Sequence, residues 1–140
     1  MKFQKICVLG LGYIGLPTAS TLANAGVKVL GVDVNPQVVT SLQNGQVHLY
    51  EPGLREVVEK ALTTGNLQIS SQPEPADAFI IAVPTPFFDD KRADMTFVSK
   101  AAEAIVPHLR PGCLVLLEST SPPLTTRNLL APIFEKSGLK

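Results

Sequence analysis

A set of glycines between two apolar segments constrains this chain more than any other feature. From Lys5 to Asp33 it reads KICVL, then GLGYIG, then LPTASTLANAG, then VKVLGVD. Ile6 to Leu9 is an apolar run of strand length, and Gly10, Gly12 and Gly15 follow it without a gap. Small and apolar residues then recur at helical spacing (Gly15, Ala19, Leu22, Ala23, Gly26), and a second apolar run closes on Asp33. The pattern predicts a strand, a glycine turn, a helix and a second strand.

Each residue type in the turn has a physical role if a dinucleotide sits there. Gly10 permits the sharp turn out of the strand, Gly12 lets backbone approach a pyrophosphate, and Gly15 brings the helix against the sheet. The unpaired N–H groups and dipole of that helix would face the phosphates. Asp33 falls about 20 residues on, where a carboxylate accepts hydrogen bonds from adenosine ribose hydroxyls. A 2′-phosphate would be repelled there, so NAD is favoured over NADP. Two rival phosphate loops are excluded: no G-K-[ST] follows the glycines and no V-A-I-K strand succeeds them.

Composition narrows the class further. At 140 residues the chain is expected to be one domain, long enough to bury about two thirds of its unfolded surface. Acidic and basic residues balance at 12 each, which gives no reason to expect nucleic acid or an anionic membrane as partner. The apolar run Ala78 to Val83 is far short of the ~20 residues of a membrane span. The first strand starts almost at once, so no export segment is expected and the cytoplasm is the expected compartment. Cys7 and Cys113 lie in strand-like runs and read as buried free thiols. A nucleophilic Cys113 would need a base beside it, and the nearby His108 sits at the far end of its helix.

The rest of the chain alternates strands and helices. Asn35-Pro36 starts a helix with Val38, Val39 and Leu42 inward, ended by Asn44-Gly45. Glu51-Pro52-Gly53 opens another, with Leu54, Val57, Val58, Ala61 and Leu62 as its apolar stripe. Leu67 to Ser71 reads as a short strand and Ala78 to Val83 as a central parallel one. After the loop Pro84 to Asp94, a helix capped by Asp94 or Thr96 is expected to bury Phe97, Ala101, Ala104, Ile105 and Leu109. Cys113 to Leu117 is the last strand, and a helix from about Leu124 should kink or restart at Pro132. Leu139-Lys140 would lead into another strand. The expected fold is α/β, a doubly wound Rossmann-type parallel sheet in three αβα layers, with order 3-2-1-4-5.

In such sheets ligands bind outside the carboxyl ends of the strands. The unusual segments all fall there: GLGYIG, Asp33, Pro84-Thr85-Pro86 and Glu118 to Ser121. Thr85 and Thr120 therefore read as hydroxyls facing a cofactor crevice, the alternative being helix capping. Glu118 either faces the site or caps backbone at the sheet edge, and His48 and Tyr50 read as surface residues of a connecting loop.

Together these segments resemble the N-terminal domain of the nucleotide-sugar 6-dehydrogenases, the UDP-glucose and GDP-mannose dehydrogenase family. The resemblance covers the whole chain and rests on GLGYIGLP (Gly10 to Pro17), GVDVN (Gly31 to Asn35), YEPGL (Tyr50 to Leu54), AVPTPF (Ala82 to Phe87) and ESTSPP (Glu118 to Pro123). AVPTPF followed by ADMTFV looks most like the branch acting on UDP-N-acetylhexosamines, above all UDP-N-acetylmannosamine. The resemblance implies oxidation of the sugar's primary alcohol to a carboxylate with two NAD in succession, a step of nucleotide-sugar metabolism that serves polysaccharide biosynthesis. It implies cofactor contacts from Gly10, Leu11, Gly12, Tyr13, Ile14, Gly15, Asp33, Val83, Pro84, Thr85, Ser119, Thr120 and Thr126, and no metal. Thr120 matches the threonine that helps order a catalytic water. The family's nucleophilic cysteine belongs to a later domain, and its motif is absent here. Residues 1–140 are thus expected to be the cofactor domain of a larger homodimeric enzyme, able to bind NAD but not to turn over sugar.

Two departures stand out: Val38 where the family often has a basic residue, and Leu124 where it commonly has glycine. Two other readings share part of the pattern. A 3-hydroxyacid dehydrogenase of the 6-phosphogluconate type has the glycine turn but should lack YEPGL. A regulatory NAD-sensing domain has the turn and the acid but no need of ESTSPP.

Overall fold

The computed structural model describes residues 3–139. In chain order it contains β1 (Lys5–Leu9), α1 (Gly15–Asn24), β2 (Lys28–Val32), α2 (Pro36–Gln43), α3 (Leu54–Thr63), β3 (Leu67–Ser70), β4 (Ala78–Ile81), α4 (Thr96–Ile105), β5 (Leu114–Leu117) and α5 (Ala131–Glu135). The five strands form one parallel sheet in the order β3-β2-β1-β4-β5, as the sequence predicts. No helix among the described residues is long and apolar enough to cross a membrane.

Helices cover both faces, which is why β1 and β4 are apolar at nearly every position. Ile6, Val8, Val29, Leu67, Ala78 and Ile80 pack on one face against α1 and α3 residues such as Leu16, Ala19, Val58 and Ala61. Cys7, Leu9, Leu30, Val32, Phe79 and Ile81 pack on the other against Val98, Ala102, Ile105, Leu130 and Ile133. At the edge, Leu114 and Leu116 of β5 remain 40% and 45% exposed.

Some expected details differ. In α4, Phe97 and Ala104 are exposed, and Val98 and Ala102 take the buried positions with Ala101 and Ile105. Phe97, Ala101, Ala104 and Ile105 stand at i, i+4, i+7 and i+8, and Val98, Ala101, Ala102 and Ile105 at i, i+3, i+4 and i+7, so both sets have helical spacing and periodicity alone cannot choose between them. Leu109 lies beyond the helix, after a 3₁₀ turn at Val106–His108, yet still packs on the same core. The last strand begins at Leu114 rather than Cys113, and β4 ends at Ile81 although the Ala82 amide still donates to Leu9 at 2.8 Å. Near the end, a π-helical turn spans Thr126–Leu130 and a regular α-helix starts only at Ala131. Pro132 lacks an N–H and crowds the carbonyl four residues back, which accounts for a restart there.

At the amino ends of the strands, the Asp77 carboxylate gathers three donors: the amides of Gln4 and Lys5 at 2.8 and 3.0 Å, and Arg110 Nη2 at 2.9 Å. Lys5 also pairs with Glu74 at 2.6 Å. This polar clamp joins the starts of β1 and β4 to the turn before β5, on the far side of the sheet from the glycine turn.

Candidate functional site

The site is built from the loops at the carboxyl ends of β1, β2, β4 and β5. The chain turns at Gly10, whose φ of 92° suits glycine. A Cβ there would stand 2.6 Å from the Ala82 carbonyl oxygen, so Gly10 also lets β1 and β4 approach where the strand order reverses. At Gly15 a Cβ would fall 1.8 Å from the Gly10 carbonyl oxygen. Gly12 is different. Its φ is not positive and an added Cβ would meet nothing within 4 Å, so neither the conformation nor the packing of the chain requires glycine there.

No side chain caps α1, which begins after Ile14 with no acidic residue in its first turn. Among the described residues, the N–H groups of Gly12, Tyr13 and Ile14 make no hydrogen bond. Three donors thus open to solvent at the positive end of a helix dipole, the arrangement that binds anions. Tyr13 and Ile14 are both more than half exposed beside them. Leu11 lies between Gly10 and Gly12 but is fully buried, so its side chain anchors the turn and does not face the opening.

Asp33 stands across from the turn at the end of β2. Its Oδ2 accepts the Leu11 amide at 2.9 Å, and its Oδ1 accepts the Asn35 amide at 2.9 Å. An ionised carboxylate has about four acceptor positions, so two remain for hydroxyls of a ligand. Asn35 then caps α2 by accepting the Gln37 amide at 2.9 Å, with Pro36 in the first turn. Val38 follows half-buried, so the first turn of α2 places no cation beside Asp33.

The loops after β4 and β5 are tied together by Ser119. Its hydroxyl donates to the Val83 carbonyl at 2.7 Å, and its amide to the Ile81 carbonyl at 3.1 Å. Thr125 is held likewise, its hydroxyl donating to Pro122 at 2.7 Å. In contrast, the hydroxyls of Thr85, Thr120 and Thr126 make no hydrogen bond among the described residues. Neither Thr85 nor Thr120 is a cap: α4 takes its N-terminal bond from Asp94, which accepts the Thr96 amide at 2.9 Å, and the last helical segment has Thr125 at its N-cap with no side-chain cap. The Thr96 hydroxyl, and then that amide bond, hold the Asp94 carboxyl below its usual range. Glu118 turns toward α1, where its Oε1 accepts the Thr18 hydroxyl at 2.9 Å.

A cavity of about 420 Å³ opens between these two loops, lined by Thr85, Pro86, Phe87, Lys91, Thr120 and Pro122 among others. Pro84 is exposed and Val83 half-buried at the base of the same loop. The sequence reading passed over Lys91 and Phe87, taking their loop only as rich in proline and charge. A signal was present: paired aspartates between aromatic and small residues mark a hairpin tip. A second depression, about 560 Å³ beside β3 and lined by Gln43, Leu62 and Glu74 among others, shares no residue with the glycine turn or these loops.

No three His, Cys, Asp or Glu side chains come together as metal ligands among the described residues. Cys7 is buried, and desolvation pushes its thiol up to about 11. Cys113 is half-buried at the start of β5. Tyr50 is 97% exposed in its connecting loop, as expected of a surface residue.

Comparison with known proteins agrees with this geometry. Residues 4–140 match the family model described as "UDP-glucose/GDP-mannose dehydrogenase family, NAD binding domain". A UDP-N-acetyl-D-mannosamine dehydrogenase from Methanococcus maripaludis is 49% identical over 95% of the chain, which covers 32% of that relative. An NDP-N-acetyl-D-galactosaminuronic acid dehydrogenase from Ralstonia solanacearum is 48% identical over 97% of the chain, covering 32% of that relative. Among solved structures, the UDP-N-acetyl-mannosamine dehydrogenase of Staphylococcus aureus superimposes with a TM-score of 0.93 at 47% identity. The overlap is 97% of this chain and 34% of that one. The chain therefore spans about a third of the length of the curated relatives it matches.

Proposed function

The chain belongs to the UDP-glucose/GDP-mannose dehydrogenase family, as its NAD binding domain, and on that premise we propose that it is the cofactor half of a nucleotide-sugar 6-dehydrogenase. The enzyme oxidises the primary alcohol of a UDP-N-acetylhexosamine, with UDP-N-acetylmannosamine the first candidate, to the carboxylate of the uronic acid. Residues 1–140 form the cofactor domain, and the whole enzyme acts as a cytoplasmic homodimer. The names of the relatives and the AVPTPF and ESTSPP loops support the sugar class.

One observation carries the reading: the N–H groups of Gly12, Tyr13 and Ile14 make no hydrogen bond among the described residues, in the same turn that a carboxylate with free acceptor positions braces through Leu11. The residues present fit NAD, which when bound supplies the hydride acceptor. The three amides and the α1 dipole hold a pyrophosphate, with Gly10 and Gly15 shaping the turn. The bare Cα of Gly12 leaves room for close approach. Asp33 holds the adenosine ribose and disfavours a 2′-phosphate, with no cation on α2 to offset the repulsion. Val83, Pro84 and Thr85 form one wall, and Ser119, Thr120 and Thr126 the other. The Thr120 hydroxyl helps to order a water. Cys7 does not suit the nucleophile, being buried with a raised pKa.

Calorimetric titration tests the cofactor: NAD binds and NADP binds much more weakly. Equal affinities, or no heat with either, would remove the assignment. NADH formed from UDP-sugar by this chain alone would overturn the division of labour.

A further inference from the structure

Among the described residues only two non-glycine positions have positive φ, Lys91 at 65° and Leu124 at 67°. Lys91 lines the 420 Å³ cavity, and Leu124 follows the lining residue Pro122 by two positions in the chain. Side chains other than glycine, asparagine and aspartate seldom adopt this conformation, and such positions cluster where a ligand is held. Lys91 owes its conformation to a small hairpin. Phe87 pairs with Ala93, the Phe88 amide donates to Arg92 at 2.9 Å, and the Lys91 amide donates back to Phe88 at 2.8 Å. Glycine would fit that corner without strain.

At the hairpin tip one ion pair forms, and Asp89 and Lys91 stay outside it. Arg92 pairs with Asp90 at 2.6 Å and lies over the Phe88 ring, 5.8 Å from its centroid. Lys91 makes no ion pair among the described residues. No acidic side chain lines the cavity. Thr85, Thr120 and Ser121 present hydroxyls there that make no hydrogen bond among the described residues. One cation, three hydroxyl donors and apolar walls from Pro86, Phe87 and Pro122 suit a group with several acceptor atoms and a negative charge.

We propose that Lys91 and the hydroxyls beside it hold the carboxylate of the oxidised sugar. The assignment rests on the function proposed above. Pyrophosphate is accounted for at the α1 N-terminus, and the diphosphate of a nucleotide-sugar lies at the opposite end of the hexose from the carbon being oxidised. The one new anion that the proposed oxidation makes is the sugar carboxylate, and Lys91 is the one cation lining the cavity among the described residues. Lys91 acts on product and not on the neutral alcohol, which makes it a specificity residue for the oxidised state.

The test follows backbone amide shifts of the NAD-saturated chain while glucuronate, glucose or inorganic phosphate is added at about 10 mM, the range in which weak single-ion contacts are visible. Glucuronate should move the amides of Thr85, Lys91, Ala93 and Ser121, and glucose should not. Lys91→Gln should weaken glucuronate about tenfold or more, as expected for a lost charge-assisted hydrogen bond. Lys91→Gly keeps the hairpin geometry, so the same loss there, with thermal stability equal or higher, separates charge from folding. Equal shifts with glucose, equal shifts with phosphate, or no shift with glucuronate would each overturn the assignment. NAD titrated into the same sample is read at Gly12, Tyr13 and Ile14. Silence there sinks the cofactor reading and this proposal together, whereas NAD shifts without glucuronate shifts sink only the latter.

Discussion

The Leu11 amide donates to Oδ2 of Asp33 across 2.9 Å, so the acid at the end of β2 braces the glycine turn before any ligand arrives. Asp33→Ala should therefore lower thermal stability as well as NAD affinity. Loss of charged hydrogen bonds sets the scale at about 1.5–3 kcal/mol for binding. Asp33→Asn, which keeps one acceptor oxygen, should recover more of the stability than of the affinity. Calorimetry and thermal melts of both variants check this, and an Asp33→Ala domain of full stability would break the link.

Gly12 and Gly15 should respond oppositely to the same substitution. Gly15→Ala puts a methyl 1.8 Å from the Gly10 carbonyl oxygen, a backbone atom that cannot swing away. A loss of about 3 kcal/mol or failure to fold is expected. Gly12→Ala meets nothing within 4 Å and should melt within a few degrees of the parent, yet bind NAD poorly because the methyl occupies the approach to the free amides. Denaturant titration with NAD calorimetry separates the two.

Acid should loosen the far end of the sheet. The Lys5 and Gln4 amides, with Arg110 nearby, hold the Asp77 carboxyl below its ordinary 3.8, and Lys5 holds Glu74 below 4.5. A carboxyl with a depressed folded pKa contributes stability that is complete above its unfolded pKa and disappears as pH falls through the folded one. Melting temperature should stay level near neutrality and drop once pH passes below these ordinary values. Asp77→Asn should melt lower than the parent at neutral pH and show a shallower decline in acid. Parallel curves for the two proteins would exclude Asp77 as a source of the acid sensitivity.

Burial raises the Cys7 thiol to about 11, so it is nearly all protonated and sheltered at neutral pH. Iodoacetamide should label Cys113 in the folded protein and reach Cys7 only when the domain opens. Peptide mapping with and without denaturant reads this directly. Prompt labelling of Cys7 would mean that the sheet centre opens far more readily than its packing implies.

Much of the fold was legible because local signals agreed. The apolar runs of β1 and β4 have no polar interruption, and Asn35-Pro36 is a cap whose chemistry is local. The inward face of α4 was not legible, because Phe97 and Val98 start equivalent stripes and only the sheet decides between them. At the site, the spacing from the glycines to Asp33 set the acid against the turn, where its Oδ2 accepts the Leu11 amide. Ser119, read beside Thr120 as a cofactor contact, has its hydroxyl engaged with Val83, a partner 36 residues away that no sequence window links to it. Lys91 was missed for a similar reason: its cavity exists only once the hairpin folds back toward the loop after β5.

That single bond from Ser119 to Val83 makes a hinge pin of a residue between two walls. Thr85 sits two positions from one end of the pin and Thr120 one position from the other, so the two rims of the cleft are fastened at their base with a free hydroxyl on either side of the join.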